Sequence, residues 1–174
     1  IFEWDEINEW DMYKNGNRQG TAGTEFELMF KLARNHMRLN YAFYYPIETI
    51  AYHTARNKSA NLALAPHQFS LAGSFIVYDN FRISPSAYYF SPIFGDTKLD
   101  NEGEPVTEKM DPIWALNLYL SYEHIFIDNL TLGIGCFDLL GTRSMRPQPY
   151  HGYHAPFASE GRTLLARLVY DLSL

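Results

Sequence analysis

Period two runs through most of the chain. In 24–32, Phe26, Leu28, Phe30 and Leu32 alternate with Glu25, Glu27, Met29 and Lys31. In 37–45, Met37, Leu39, Tyr41, Phe43 and Tyr45 alternate with Arg38, Asn40, Ala42 and Tyr44. The stretch 68–77 sets Phe69, Leu71, Gly73, Phe75 and Val77 against Gln68, Ser70, Ala72 and Ser74; 114–122 sets Trp114, Leu116, Leu118, Leu120 and Tyr122 against Asn117, Tyr119 and Ser121. Successive side chains of a strand point to opposite faces, so each set shares one face, whereas a helix would scatter it around its circumference. These four stretches are predicted strands.

Weaker alternation completes the set. The stretch 81–91 carries Pro85, which removes one ladder hydrogen bond and predicts a bulge or local distortion. In 130–137, Gly133 and Gly135 share a face; in 162–174, Leu164, Ala166, Leu168, Tyr170 and Leu172 oppose Thr163, Arg167, Asp171 and Ser173. The opening stretch 2–13 puts Phe2, Trp4, Trp10 and Met12 on one face, interrupted by Glu6 and Asn8. The count is about eight strands, the first the least regular.

The connections alternate in length. Tight turns are expected around Arg34-Asn35, Asp79-Asn80 and Asp128-Asn129, because Asn and Asp tolerate the left-handed conformation. Long loops are expected at 48–66, 92–111 and 138–161, with 14–20 as a shorter fourth. Short turns at one end and long loops at the other describe an antiparallel up-and-down β-barrel in a membrane, with the short end periplasmic and the long end extracellular.

Composition sharpens this. The chain holds 13 Tyr, 12 Phe and 3 Trp in 174 residues that are only 47% hydrophobic. Membrane barrels use aromatics at both bilayer interfaces, and their lumen-facing residues dilute the hydropathy. No apolar run approaches the roughly 18 residues a transmembrane helix needs. A net charge of −6 without a basic stripe excludes nucleic acid as a partner. The single cysteine, Cys136, reads as a small apolar strand residue. The first residues, Ile1-Phe2-Glu3, carry neither an initiator Met nor a signal-peptide pattern, so a removed leader and a piece of a longer polypeptide both remain open.

A soluble lipocalin-type barrel would have the same alternation with its apolar side inward. Lipid is favoured by aromatics gathered near strand ends (41–45, 88–90 and 119–126) and by loops longer than soluble hairpins need. Mid-strand Glu25, Glu27, Lys31 and Arg38 suit a water-filled lumen, and equally a soluble exterior.

The second half resembles a known family. Asp128-Asn129-Leu130-Thr131-Leu132-Gly133-Ile134-Gly135-Cys136-Phe137-Asp138-Leu139-Leu140-Gly141-Thr142-Arg143 looks like the penultimate strand of TonB-dependent outer-membrane receptors, with Asp138 in place of that motif's usual Asn. Pro147-Gln148-Pro149-Tyr150-His151-Gly152, Ala155-Pro156 and Gly161-Arg162-Thr163 are similar to the last extracellular loop of some members, and 164–172 to the final strand. Gly23-Thr24-Glu25-Phe26-Glu27-Leu28, the strand 37–45 and Leu64-Ala65-Pro66-His67-Gln68-Phe69-Ser70-Leu71 resemble earlier strands in the family's order. The resemblance covers about 23 to 172 and implies the C-terminal part of a barrel of roughly 22 strands. Two features depart from the family. The chain ends Asp171-Leu172-Ser173-Leu174 rather than on an aromatic, and it contains no plug domain. The resemblance therefore implies that 1–174 is a barrel segment of an importer in the bacterial outer membrane.

Catalytic signatures are missing: there is no nucleotide loop, CxxC, HExxH or Gly-x-Ser-x-Gly elbow. Tyr150, His151, Tyr153 and His154 in the last long loop are the candidate ligand-binding residues, for haem or a metal chelate. Two His without a third ligand define no metal site, and a polar aromatic surface loop is the preferred account of them. His53 and His67 stand in the same position. The acidic opening (Glu3, Asp5, Glu6, Glu9, Asp11) reads as a solvated edge rather than a calcium site. Glu25 and Glu27 share a face, but nothing indicates the apolar pocket a catalytic pair requires.

The expected function is a share in active uptake of a bulky, scarce nutrient (an iron chelate, haem or cobalamin) powered through TonB, with no cofactor and no enzymatic step. Outer-membrane lipid is the expected partner, along with the TonB system through a plug domain and other chains if these complete the barrel. The alternatives are a closed eight-stranded OmpA-type barrel with a structural or adhesive role, and a lipid-modifying enzyme. The first needs 2–13 to pair with 162–174. The second is weakened because Ser70 and His67, three apart on one strand, fall on opposite faces.

Overall fold

In the computed structural model, residues 2–5, 10–13, 20–48, 64–103, 105–147 and 155–172 are described. All regular structure among them is β. The strands are β1 (Phe2–Asp5), β2 (Trp10–Tyr13), β3 (Gly20–Leu32), β4 (Asn35–Glu48), β5 (His67–Tyr78), β6 (Phe81–Phe90), β7 (Phe94–Leu99), β8 (Pro105–Lys109), β9 (Ile113–Tyr122), β10 (Leu130–Phe137), β11 (Met145–Arg146), β12 (Phe157–Ala158) and β13 (Thr163–Tyr170). Seven form one sheet in the order β13-β10-β9-β6-β5-β4-β3, every neighbouring pair antiparallel. This is the expected up-and-down meander. β3 pairs only with β4 and β13 only with β10, so the sheet is open among the described residues.

Four expectations change. The stretch 2–13 is not one barrel strand: β1 turns back on β2, with Phe2 opposite Tyr13 and Asp5 opposite Trp10. The closed eight-stranded reading thereby loses the strand that would have met β13. The expected loop 92–111 holds the hairpin β7–β8, and 138–161 holds the short pair β11–β12. Alternation in those stretches is too brief to read as strand from sequence. The third short turn is a longer connection, 123–129, in which His124, Phe126 and Asn129 all take positive φ. At the first turn, Ala33 (φ 51°) is the left-handed residue. Asn35 begins β4 instead, and its Oδ1 accepts a 2.7 Å hydrogen bond from the Ile76 amide.

Pro85 behaves differently from a bulge. Pairs on either side of it, Ala72 with Ser86 and Phe75 with Ile83, keep one register, and the shift falls at 76–78 instead. Proline removes a donor without adding a residue, so the ladder gaps but does not slip.

Register decides which side chains share a face. Phe26, Tyr41, Phe69, Tyr89 and Trp114 are successive cross-strand partners, forming an aromatic row over five strands. Below it Leu28, Leu39, Leu71, Ala87 and Leu116 form an aliphatic row. The apolar face continues to β13, where Leu164 and Leu168 are 76% and 67% exposed. So many exposed large apolar side chains on one face are unusual for a soluble monomer. Among the described residues, buried apolar side chains are few. Ala65, Ile93 and Met110, with Phe90 against them, make a small cluster where the long connections meet the sheet.

Candidate functional site

The opposite face of the sheet is polar and knitted by side chains. Asn40 Nδ2 donates to Ser70 Oγ at 3.0 Å, and Asn117 Nδ2 to Ser86 Oγ at 3.2 Å. Arg82 Nη1 donates to the buried Ser74 hydroxyl at 3.0 Å, while its Nη2 lies 3.8 Å from Glu123. The Asn40–Ser70, Asn117–Ser86 and Arg82–Ser74 bonds each join neighbouring strands and stiffen this face.

Glu25 and Glu27 lie on this face. Tyr44 Oη donates to Glu25 at 2.5 Å, and Arg38 Nε stands 4.0 Å from Glu27. Together with Asn40, Gln68 and Ser70 they line a recess of about 350 Å³. Both carboxylates thus have polar or charged partners on an open face, the opposite of the apolar pocket that separates a catalytic pair.

The larger recess, about 720 Å³, lies where the last long loop folds back over this wall. Tyr88, Asn117 and Phe137 come from the sheet, and Arg146, Phe157 and Glu160 from the loop. Its volume is in the range of small-molecule sites. Its shape depends on Asp138, which follows β10 with φ 47°. The Asp138 amide donates to Asn117 Oδ1, and Asp138 Oδ1 accepts from the Thr142 amide, each at 3.0 Å. Thr142 Oγ1 lies 2.9 Å from the Trp114 carbonyl and 3.0 Å from Asp138 Oδ1. The Leu139 amide reaches the Leu116 carbonyl at 2.7 Å. The Thr142 amide, with lesser help from its hydroxyl and from the Gly141 and Arg143 amides, holds the Asp138 carboxyl below its ordinary range.

The hairpin β7–β8 is a second feature of the same end. Lys98 Nζ lies 2.7 Å from Glu108, and Thr97 Oγ1 donates to Glu108 at 2.5 Å. Lys98 first, then Thr97, lowers the Glu108 carboxyl below its usual value. Met110, in the buried cluster, and Pro147, beside β11, both close on Gly95, where an added Cβ would meet the Met110 sulfur at 2.9 Å. That contact joins the bases of two long connections.

Of the sequence candidates, Tyr150, His151, Tyr153, His154 and His53 lie outside the described residues. His67 and Ser70 are apart as expected. His67 Nδ1 is 2.9 Å from Tyr41 Oη, and its ring packs on Phe43 on the apolar face; Ser70 bonds Asn40 on the polar one. Among the described residues no group of three His, Cys, Asp or Glu is placed to hold a metal ion. Sequence reading missed Asn117, Thr142, Arg146 and Phe157. The departure at Asp138 from the family's motif, and the candidates in the last long loop, pointed only toward that region and not to these residues.

No protein-family model matches the chain, and no curated protein matches it. Solved structures do. A chain of the FpvAI–pyocin S2 complex superposes with a TM-score of 0.71 at 15% identity, over 87% of this chain and 19% of that one. Pseudomonas aeruginosa FpvA bound to heterologous pyoverdines gives 0.69 at 15%, over 87% and 19%. The ferric-catecholate import receptor Fiu of Escherichia coli K12 gives 0.68 at 16%, over 97% and 23%. The chain spans about a fifth of the length of these proteins. At such identities the likeness is one of fold: an antiparallel run of neighbouring strands shared with part of each of these proteins.

Proposed function

We propose that residues 1–174 form the C-terminal part of the barrel of a TonB-dependent importer in the bacterial outer membrane. One observation carries the reading. A continuous apolar face, crossed by the aromatic row Phe26, Tyr41, Phe69, Tyr89 and Trp114, backs onto a hydrogen-bonded polar face. The apolar face meets lipid and the aromatic row lies at the extracellular interface, because the long connections leave the sheet on that side. The polar face lines the interior.

In this reading the open edges at β3 and β13 are completed by further strands, of the same polypeptide or of other chains, since unpaired strand edges are not stable in hydrocarbon. A plug domain would couple the barrel to TonB. The recess beneath the last long loop contributes to the entrance through which an iron chelate is captured, an assignment supported by the iron-related ligands named for Fiu and FpvA. Haem and cobalamin are the other bulky nutrients such a barrel would take. The chain itself performs no catalytic step; Tyr150, His151, Tyr153 and His154 belong to the same loop as the recess.

The test is growth of the native host on single ferric chelates, haem or cobalamin, with TonB present or removed, and with 139–160 excised from the native polypeptide. Growth on one nutrient should require TonB and the loop, at unchanged surface abundance. Uptake indifferent to TonB would overturn the reading.

A further inference from the structure

The apolar face is not evenly filled. Two recesses with almost wholly apolar walls open on it, and they share Ala87 and Leu116. The lower, about 100 Å³, lies among Met37, Leu71, Gly73, Phe75 and Pro85. The upper, about 400 Å³, is walled by Phe69, Tyr89, Pro112, Trp114 and Leu140. The depression follows from side-chain size. Gly73 and Pro85 sit opposite each other and Ala87 is the next outward residue of β6, so small side chains adjoin along two strands. The Phe75 ring leans over Gly73, where an added Cβ would meet Cε2 at 2.5 Å, and this ring makes the floor.

We propose that this groove is a fixed seat for one acyl chain of an outer-leaflet membrane lipid, a proposal that rests on the lipid-facing assignment above. The dimensions agree. From Pro85 to the aromatic row at Tyr89 is four residues, about 13 Å at roughly 3.3 Å per residue. One leaflet of a hydrocarbon core about 30 Å thick spans roughly 15 Å. The groove therefore begins at the interfacial aromatics Tyr89 and Trp114 and ends near mid-membrane, as one chain in the outer half requires. No charged side chain lines either recess, so recognition is of the chain and not of a headgroup. The groove is also continuous with the lipid-facing surface, which makes a lipid its direct neighbour. The alternative, a second copy of the protein, would need a knob on the facing barrel.

The experiment is native mass spectrometry of the native polypeptide, purified in detergent and incubated with palmitoyl-oleoyl phosphatidylglycerol. One lipid should survive collisional activation that strips the remainder. Ala87→Phe, which fills the junction of the two recesses, should abolish that tight adduct. Leu168→Phe, on the same face but on β13, should leave it. Heat-modified gel migration checks that each barrel is folded, and Leu116→Trp replaces Ala87→Phe if the latter is not. A tight adduct unchanged in the folded groove variant overturns the proposal, as does a wild-type protein that folds in detergent without one. Loss of a dimer rather than of lipid would assign the groove to a second copy and overturn it too. A wild-type protein that is folded and monomeric without detergent would instead bring down the lipid-facing reading itself.

Discussion

The phenol of Tyr119 on β9 occupies the space that a side chain at Gly133 on β10 would fill. Gly135 is the direct cross-strand partner of Tyr119, and Gly133 lies one pair further along the same polar face. A Cβ built at Gly133 collides with the Tyr119 hydroxyl, and one at Gly135 would stand 3.1 Å from Tyr119 Cδ2. The two glycines thus make room for a ring laid across the polar face, a device by which an aromatic compensates for the low strand propensity of glycine.

Gly133→Ala should therefore destabilise the barrel by about 1–3 kcal/mol, the usual cost of forcing atoms into filled space. Combining it with Tyr119→Ala should recover much of the loss. Urea-induced unfolding in lipid vesicles measures both, and a double variant no better than the single one would show that the ring is not the obstacle.

The knot at Asp138 gives a pH prediction. Its carboxyl is held below the ordinary range by the Thr142 amide, so the ionised form is the one the fold prefers. Stability from this group is present above the usual carboxylate range and is lost as pH falls through the lowered value. Protease cleavage within 139–160 should accordingly rise at low pH. Asp138→Asn keeps an acceptor for the Thr142 amide and should remove the pH dependence, while Asp138→Ala should leave the loop susceptible at every pH. Equal acid sensitivity in the Asn variant would exclude this group as the source.

His151 and His154 are the sharpest chemical hint in the sequence, yet two imidazoles without a third donor do not define a metal site. Replacing both with Ala should leave nutrient uptake intact. Selective loss of uptake at normal surface abundance would make them ligand contacts after all.

The legible parts of the fold were those with long alternation. In 24–32, 37–45, 68–77 and 114–122, burying one face and wetting the other leaves a period-two record, and these became β3, β4, β5 and β9. The hairpin β7–β8 left none, because its pairing relies on short contacts such as Lys98–Glu108 and Thr107–Asp96, and β11–β12 has only two residues a side. Turn chemistry misled at Asn35, whose side chain serves a neighbouring strand, while Ala33 takes the strained conformation. The recess under the last loop was illegible for a different reason. Asn117 and Thr142 meet Asp138 only through cross-strand register and a loop that folds back, neither of which a single strand's pattern encodes.

The face assignment itself can be tested on adjacent residues. Leu71 points to the apolar face, between Leu39 and Ala87, whereas Ala72 points to the polar face, between Arg38 and Ser86. In a soluble barrel with its apolar side inward, an arginine at 71 would be buried in protein and one at 72 would be solvated outside. In the membrane barrel, an arginine at 71 meets hydrocarbon two residues below the aromatic row, about 7 Å from the interface. Leu71→Arg should cost about 1–3 kcal/mol, between the cost of a cation near an interface and its cost at mid-membrane on a lipid face. Ala72→Arg meets interior water and should cost much less. Both barrel types penalise Leu71→Arg, so the deciding readout is where the loss appears. Unfolding in vesicles of progressively thinner lipid should relieve Leu71→Arg, because thinning brings the cation nearer the interface, and should leave Ala72→Arg unchanged. A penalty at 71 independent of bilayer thickness would mean that this face packs against protein.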